Sequence, residues 1–215
     1  MCFSAEASFI ASAFCGVVAV GAINHAEKKT LLLAIIPLIF SLHQATEGVI
    51  WLSGKASCGI IGAEFYSLIA SCLWPTYVPI AAWLAEQDEN RHAWILRTLF
   101  IGLPVSIYNA YVFSFPLTVD FSHHQISYIP GTYYPLFVEF FYSAAVVIPF
   151  LLMSNKMLRY FGIVILLFFV LSMSVFNPSR YSVWCFFAAV SSVLIFLAVS
   201  SKNIMAESEK SLESR

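Results

Sequence analysis

The stretch FSLHQATEGVIW, residues 40–51, carries two side chains that can do chemistry, His43 and Glu47, inside an otherwise apolar run. Residues four apart in a helix lie about 40° apart in projection, so these two side chains share one face. An imidazole and a carboxylate placed in this way can bind a metal ion, transfer a proton or hold a polar ligand. They can equally serve packing alone, through hydrogen bonds to other helices.

The carboxylate predicts where this face points. Ionisable side chains inside membranes almost always face the interior of a helix bundle, because lipid does not solvate them. We therefore expect His43 and Glu47 to point inward and to contact polar groups of the first, fourth or fifth helical segment. Glu139 is a further acid or ligand, in the segment that spans residues 133–154.

A metal site is one reading of these residues. Zinc accepts mixed ligands from His, Cys, Asp and Glu, and copper or iron suits the same set. His43 and Glu47 would supply two ligands, although an i, i+4 pair alone is a weak signal and the HExxH pattern is missing. Further candidates that could complete the site are Cys2, Glu6, His123 and His124. The two neighbouring histidines also fit an exposed loop.

The composition indicates a membrane protein. Of the 215 residues, 60% are hydrophobic and 11% are charged, whereas a soluble domain carries about 25% charged residues. A soluble protein must cover its surface with polar groups, so lipid is the expected solvent for most of this surface. The formal net charge of −1 favours no nucleic-acid partner.

The apolar residues fall into segments long enough to cross a bilayer, which takes about 20 residues as a helix. Seven segments qualify, at residues 4–23, 30–53, 62–85, 93–115, 133–154, 158–176 and 180–200. Unbroken runs such as FGIVILLFFVLSMSVF indicate helices, since a barrel strand would alternate polar and apolar residues. The predicted fold is an all-α, seven-transmembrane helix bundle over residues 1–200, followed by a polar cytoplasmic tail at 201–215.

The basic residues predict the orientation. With the amino terminus outside and the carboxyl terminus in the cytoplasm, nine of the eleven Lys and Arg residues fall on the inner side. The longest connection, residues 116–132, has neither Lys nor Arg and falls outside. Polar residues such as Asn109 and Glu139 then lie in the outer halves of their helices. Their placement predicts a polar cavity that opens outward.

Small residues recur every four positions along the first segment, at Ser4, Ser8, Ser12 and Gly16. Such a stripe lets helices approach closely. It predicts tight packing of this helix within the bundle, with a dimer interface as the alternative.

The opening MCFSAEASF, together with HQATEG in the second segment and the seven-segment layout, resembles a family of small bacterial membrane proteins that begin MCFS-x-x-ASF. The resemblance covers most of the chain. It implies a multi-pass protein of the bacterial inner membrane and directs attention to Cys2, Ser4, His43, Glu47 and Gly48. It implies no reaction.

Two functions from different classes remain open. In the first, the protein is a metal-binding protein or a membrane-embedded metal-dependent enzyme, with His43, Glu47 and Glu139 as its catalytic or ligating residues. In the second, it is a receptor or small-solute transporter that binds its ligand through Glu47, Glu139 and Arg180. A purely structural subunit is a third reading. The partners expected are the lipid bilayer and a small molecule or metal ion.

Overall fold

The computed structural model describes residues 4–54, 56–121, 126–176 and 179–201. Its helices are α1 (Ala5–Asn24), α2 (Leu31–Ser53), α3 (Ser57–Leu68), α4 (Trp74–Ala85), α5 (Glu89–Val112), α6 (Leu136–Leu152), α7 (Lys156–Val175) and α8 (Arg180–Ser191). A π-helical turn, Ile69–Leu73, joins α3 to α4 in one continuous rod. The apolar course of α8 continues to Ser201. The helices of the described residues thus form seven rods.

The seven rods coincide with the seven predicted segments, and the all-α prediction is confirmed. Six of them are long and apolar enough to cross a membrane, as in a multi-pass membrane protein, and α6 is apolar but shorter, at 17 residues. The differences lie at the ends. The third rod begins at Ser57 rather than at residue 62, and α5 begins at Glu89 rather than at residue 93.

Successive rods pack against each other, and α1 also contacts α8, which closes the bundle. The stripe of small residues on α1 serves this packing. The Ser41 hydroxyl donates a hydrogen bond to the Ser12 carbonyl at 2.8 Å, and a Cβ at Gly16 would lie 3.3 Å from the same hydroxyl. The stripe therefore brings α1 against α2, as the sequence predicts.

The rod that contains α3 and α4 has an irregular centre, and its neighbours compensate for it. Proline has no N–H, so Pro75 leaves a carbonyl of the preceding turn without its helical donor. Side chains from α5 and α6 donate to three carbonyls of the π-helical turn: Asn109 to Ser71 at 2.8 Å, Ser106 to Cys72 at 2.7 Å, and Tyr142 to Ala70. The turn is thereby fixed against both helices.

A two-stranded hairpin lies between α5 and α6. Its strands, β1 (Thr118–Asp120) and β2 (Ser127–Ile129), pair antiparallel with Val119 opposite Tyr128. The side chains of Ile126 and Tyr128 are buried against α2, α3 and α8, where Ile50, Tyr66 and Cys185 form a small hydrophobic cluster with them. The hairpin therefore covers one end of the bundle, where the sequence predicts only a connection.

At the opposite end of the bundle, Glu86 ties two connections together. Its Oε1 accepts hydrogen bonds from the N–H groups of Gln87 and Asp88, both at 2.9 Å, and from the Ser154 hydroxyl at 2.7 Å. Its Oε2 accepts from the Ser154 N–H at 2.7 Å. The carboxylate thus joins the connection after α4 to the connection after α6.

We expect the stabilising effect of Glu86 to disappear in acid. Burial alone would raise the pKa of Glu86, but the hydrogen bonds from Asp88, Ser154 and Gln87 outweigh burial and hold the pKa below its ordinary value of 4.5. A carboxylate with a lowered pKa in the folded state stabilises the protein above its unfolded pKa, and this stabilisation is lost as the pH falls through the folded pKa. The difference in thermal unfolding midpoint between wild type and Glu86→Gln should therefore be largest near neutral pH and should close in acid. A difference that stays constant from pH 7 to pH 3 would contradict this assignment.

Candidate functional site

His43 lies just past the middle of α2 and is completely buried. Its Nε2 is 3.1 Å from the Tyr66 carbonyl oxygen. Its ring stacks on the Tyr66 ring at a centroid distance of 3.8 Å, and Tyr66 in turn stacks on Tyr128 at 4.5 Å. The stack joins α2, α3 and β2 and fixes the orientation of the imidazole.

Glu47, one turn further along α2, is also completely buried. Its Oε1 accepts a hydrogen bond from the Ser182 hydroxyl of α8 at 2.6 Å and a longer one from the Tyr128 hydroxyl at 3.5 Å. The Cys185 side chain of α8 packs in the same buried cluster as Tyr66. The carboxylate is thus held by hydroxyls from α8 and from the hairpin.

Gln44 lies on the same side of α2 as His43 and Glu47, within a sector of about 100°. It is completely buried, and neither its amide nitrogen nor its amide oxygen has a hydrogen-bond partner among the described residues. The same holds for Nδ1 of His43. Buried polar atoms are almost always hydrogen-bonded, so several atoms without a partner on one helical turn require an explanation.

A serine of α1 lies at a similar height in the bundle. The Cys15 thiol donates to the Ala189 carbonyl at 3.4 Å, which aligns α1 with α8. Ser8 lies two helical turns before Cys15, and Ser182 lies two helical turns before Ala189. The two serines are therefore at the same height in the bundle. The Ser8 hydroxyl is buried and has no partner within the described part of the chain. We call His43, Gln44, Glu47 and Ser182 the α2 polar cluster.

The second buried carboxylate, Glu139, forms a separate site. It lies in the first turn of α6 and accepts hydrogen bonds from the Arg180 guanidinium and, at 2.6 Å, from the Tyr181 hydroxyl. Because Ser182 follows these two residues, the first turn of α8 donates hydrogen bonds to both Glu139 and Glu47. The amino terminus of a helix carries partial positive charge, which favours this arrangement.

Asn109 and Tyr134 extend the Glu139 site. The Tyr134 hydroxyl donates to Asn109 Oδ1 at 3.0 Å, while Asn109 donates to the π-helical turn. Burial and the nearby charge of Glu139 raise the pKa of Tyr134. Its hydroxyl therefore stays protonated as a donor.

The structure brings together only part of the predicted residue set. His43 and Glu47 face inward, as predicted, but the partners named above lie on α3, α8 and β2 rather than on the first, fourth or fifth segment. Glu139 lies in the first turn of its helix, nearer the helix end than the predicted segment 133–154 implies. Glu6 is exposed at the start of α1.

The remaining predicted metal ligands, Cys2, His123 and His124, lie outside the described residues. Within the ranges that the structure describes, no group of three or more His, Cys, Asp or Glu side chains could hold a metal ion. His43 and Glu47 would therefore need ligands from elsewhere in the chain to form such a site.

Comparison with known proteins places the chain in a family. A family model described as a family of unknown function, DUF6629, matches residues 1–210. The chain belongs to this family. The match includes every element described above, so the DUF6629 region covers the α2 polar cluster, the hairpin and the Glu139 site. Neither the curated proteins nor the solved structures include a significant match.

Two residues of the DUF6629 region that donate hydrogen bonds to Glu47 were not predicted. Ser182 and Tyr128 are separated from Glu47 by 135 and 81 residues, and a single hydroxyl in an apolar run gives no local signal. Gln44 does give a local signal, because an amide between His43 and Glu47 within a spanning segment is itself unusual.

Proposed function

We propose that the protein is a membrane receptor or transporter that binds a small polar solute at the α2 polar cluster. The observation that carries this proposal is the pair of orphaned groups, the Gln44 amide and Nδ1 of His43, both completely buried beside Glu47. A buried polar group without a partner costs about 1–3 kcal/mol. A bound solute that both donates and accepts hydrogen bonds would satisfy these atoms.

The location of the cluster agrees with a solute that arrives from outside. We propose that the chain lies in a bacterial inner membrane with its amino terminus outside, as the distribution of Lys and Arg favours. The end of the bundle that carries the cluster and the hairpin then faces outward. A reporter fused after Arg215 should be active only in its cytoplasmic form. Activity of a periplasmic reporter at that position would reverse the orientation.

A metal-dependent enzyme or metal-binding protein is the second candidate. It is favoured by His43, because a neutral imidazole whose Nε2 donates to a carbonyl presents a lone pair at Nδ1, which is the form that binds zinc, copper or iron. Elemental analysis of protein purified without a histidine tag tests it. About one ion per chain in wild type, lost in His43→Ala, would favour this candidate over solute binding.

The proposed function is tested by ligand-induced stabilisation of the purified full-length protein. A solute that binds the folded state raises the thermal unfolding midpoint. The probes are ammonium chloride, sodium acetate, urea and zinc chloride at constant ionic strength. We expect one probe other than zinc to stabilise wild type but not Gln44→Leu. Gln87→Leu makes the same change at an exposed position and should respond like wild type. If no probe distinguishes Gln44→Leu from wild type, the proposal fails.

A further inference from the structure

We propose that the end of the bundle that carries the hairpin has a docking groove for a phospholipid whose headgroup ends in a primary ammonium, as in phosphatidylethanolamine. The groove lies between one face of α3 and residues 113–116, which follow α5, and its volume is about 470 Å³. We call it the α3 groove. Clefts that bind small molecules have volumes of about 300–1,000 Å³. The proposal is separate from solute binding at the α2 polar cluster and does not depend on it.

The walls of the α3 groove are mostly apolar and face away from the bundle. On α3, the side chains of Ile61, Phe65 and Leu68 are 66%, 49% and 50% exposed. Phe115 belongs to the opposite wall and is 40% exposed. Exposed apolar patches mark surfaces that contact a partner or a membrane. Because the rod that contains α3 is long and apolar enough to cross a membrane, lipid chains are the expected neighbours of these walls.

One carboxylate, Glu64, belongs to the α3 wall of the groove and is exposed. Ile61 and Leu68 lie about one helical turn from it on either side, so the carboxylate is set within the apolar wall rather than beside it. Ionisable side chains in membrane-spanning helices usually pair with other groups. In the described part of the chain, no Lys, Arg or His forms an ion pair with Glu64. The groove therefore has a place for a cation from outside the chain.

The depth of Glu64 matches the headgroup layer of a bilayer. The rod that contains α3 and α4 ends at Ala85, and the exposed residues Gln87 and Asp88 follow soon after. From Ala85 to Glu64 the rod rises about 32 Å, slightly more than the roughly 30 Å of hydrocarbon in a bilayer. With Ala85 at one boundary of the hydrocarbon, Glu64 lies at the other boundary, beside the headgroups. Leu68 then lies one turn deeper, beside the acyl chains.

Charge complementarity selects the occupant of the α3 groove. A primary ammonium donates charge-assisted hydrogen bonds to a carboxylate, and these are roughly twice as strong as hydrogen bonds between neutral groups. The quaternary ammonium of phosphatidylcholine has the same charge but no N–H. A second copy of the chain is a poorer occupant. At this end of the bundle the basic side chains that the structure describes are Arg180, which binds Glu139, and His43, which is completely buried.

The experiment measures lipid retention by the purified full-length protein in micelles that contain equal amounts of phosphatidylethanolamine and phosphatidylcholine with the same acyl chains. Native mass spectrometry counts each lipid bound per chain. We expect wild type to retain phosphatidylethanolamine about three- to fivefold over phosphatidylcholine, as for an ion pair near a surface. Glu64→Gln should retain the two lipids equally. Glu89→Gln makes the same change at an exposed position at the opposite end of the bundle and should keep the wild-type preference.

The outcomes separate a docked lipid from the other possible occupants. Because Glu64 is exposed, Glu64→Gln should fold like wild type, so a lost preference reports on binding. Equal retention of the two lipids by wild type, or a preference that persists in Glu64→Gln, overturns the proposal. Displacement of the lipid by an equal concentration of glycerophosphoethanolamine, which has the headgroup but no acyl chains, overturns it in favour of a free amine. A dimer that Glu64→Gln converts to a monomer overturns it in favour of an interface between copies.

Discussion

Replacing Arg180 by methionine should destabilise the protein by about 3–5 kcal/mol, the range found when one partner of a buried ion pair is removed. Glu139 is buried, and the Arg180 side chain that donates to it is itself largely covered. Methionine retains much of the apolar stem but leaves the carboxylate with its Tyr181 bond and without this cation. Equilibrium unfolding in mixed micelles measures the change.

A double-mutant cycle isolates the interaction energy between Arg180 and Glu139 from the other effects of each substitution. Glu139→Gln in the Arg180→Met background removes the stranded charge, so the double variant should recover part of the loss. Arg97→Met is the matched control, because Arg97 is exposed and lies over the ring of Trp94. Its cost should stay below about 1 kcal/mol. Equal costs for Arg97→Met and Arg180→Met, or no recovery in the double variant, would contradict the role assigned to this pair.

Gly102→Ala should cost about 3 kcal/mol or more, although alanine normally favours a helix by up to about 1 kcal/mol over glycine. A Cβ at Gly102 would lie 1.7 Å from the carbonyl oxygen of Pro75. That atom belongs to the backbone of α4, so a rotamer change cannot relieve the contact and the two helices must separate. Equilibrium unfolding in mixed micelles measures this change as well.

Gly16→Ala makes the same substitution where the nearest atom is the Ser41 hydroxyl, at 3.3 Å. A single side-chain atom can move by a few tenths of an ångström, so we expect a change within about 1 kcal/mol. If Gly102→Ala is as well tolerated as Gly16→Ala, that result would contradict the close packing of α5 against the backbone of α4.

The helices could be predicted from the sequence because hydropathy and helix length carry the signal locally. The segment 158–176 needs only its unbroken apolar run to be read as a spanning helix, and α7 occupies Lys156–Val175. The hairpin could not be predicted in this way. Its strands have three residues each, which is too short for a period-two pattern, and they are stabilised by packing against α2, α3 and α8.

The candidate site could be predicted only in part. The depth of His43 and Glu47 in an apolar segment predicted that both face inward, because lipid would not solvate them. Their partners depend on which rods become neighbours, and contacts over more than 80 residues leave no trace in local spacing. The prediction that zinc, copper or iron binds here remains a prediction, since Cys2, His123 and His124 lie outside the described residues.

The stability of solute-free Gln44→Leu tests the central proposal most directly, because binding and packing predict opposite signs. If Gln44 is kept for a ligand, leucine should remove an unsatisfied buried amide and stabilise the solute-free protein by about 1–3 kcal/mol. Gln87→Leu, at an exposed position, should change the stability by less than about 0.5 kcal/mol. The predicted result is a solute-free Gln44→Leu protein that is more stable than wild type and no longer responds to the probe that stabilises wild type. A Gln44→Leu protein that is less stable than wild type would assign Gln44 to packing and contradict the proposed binding site.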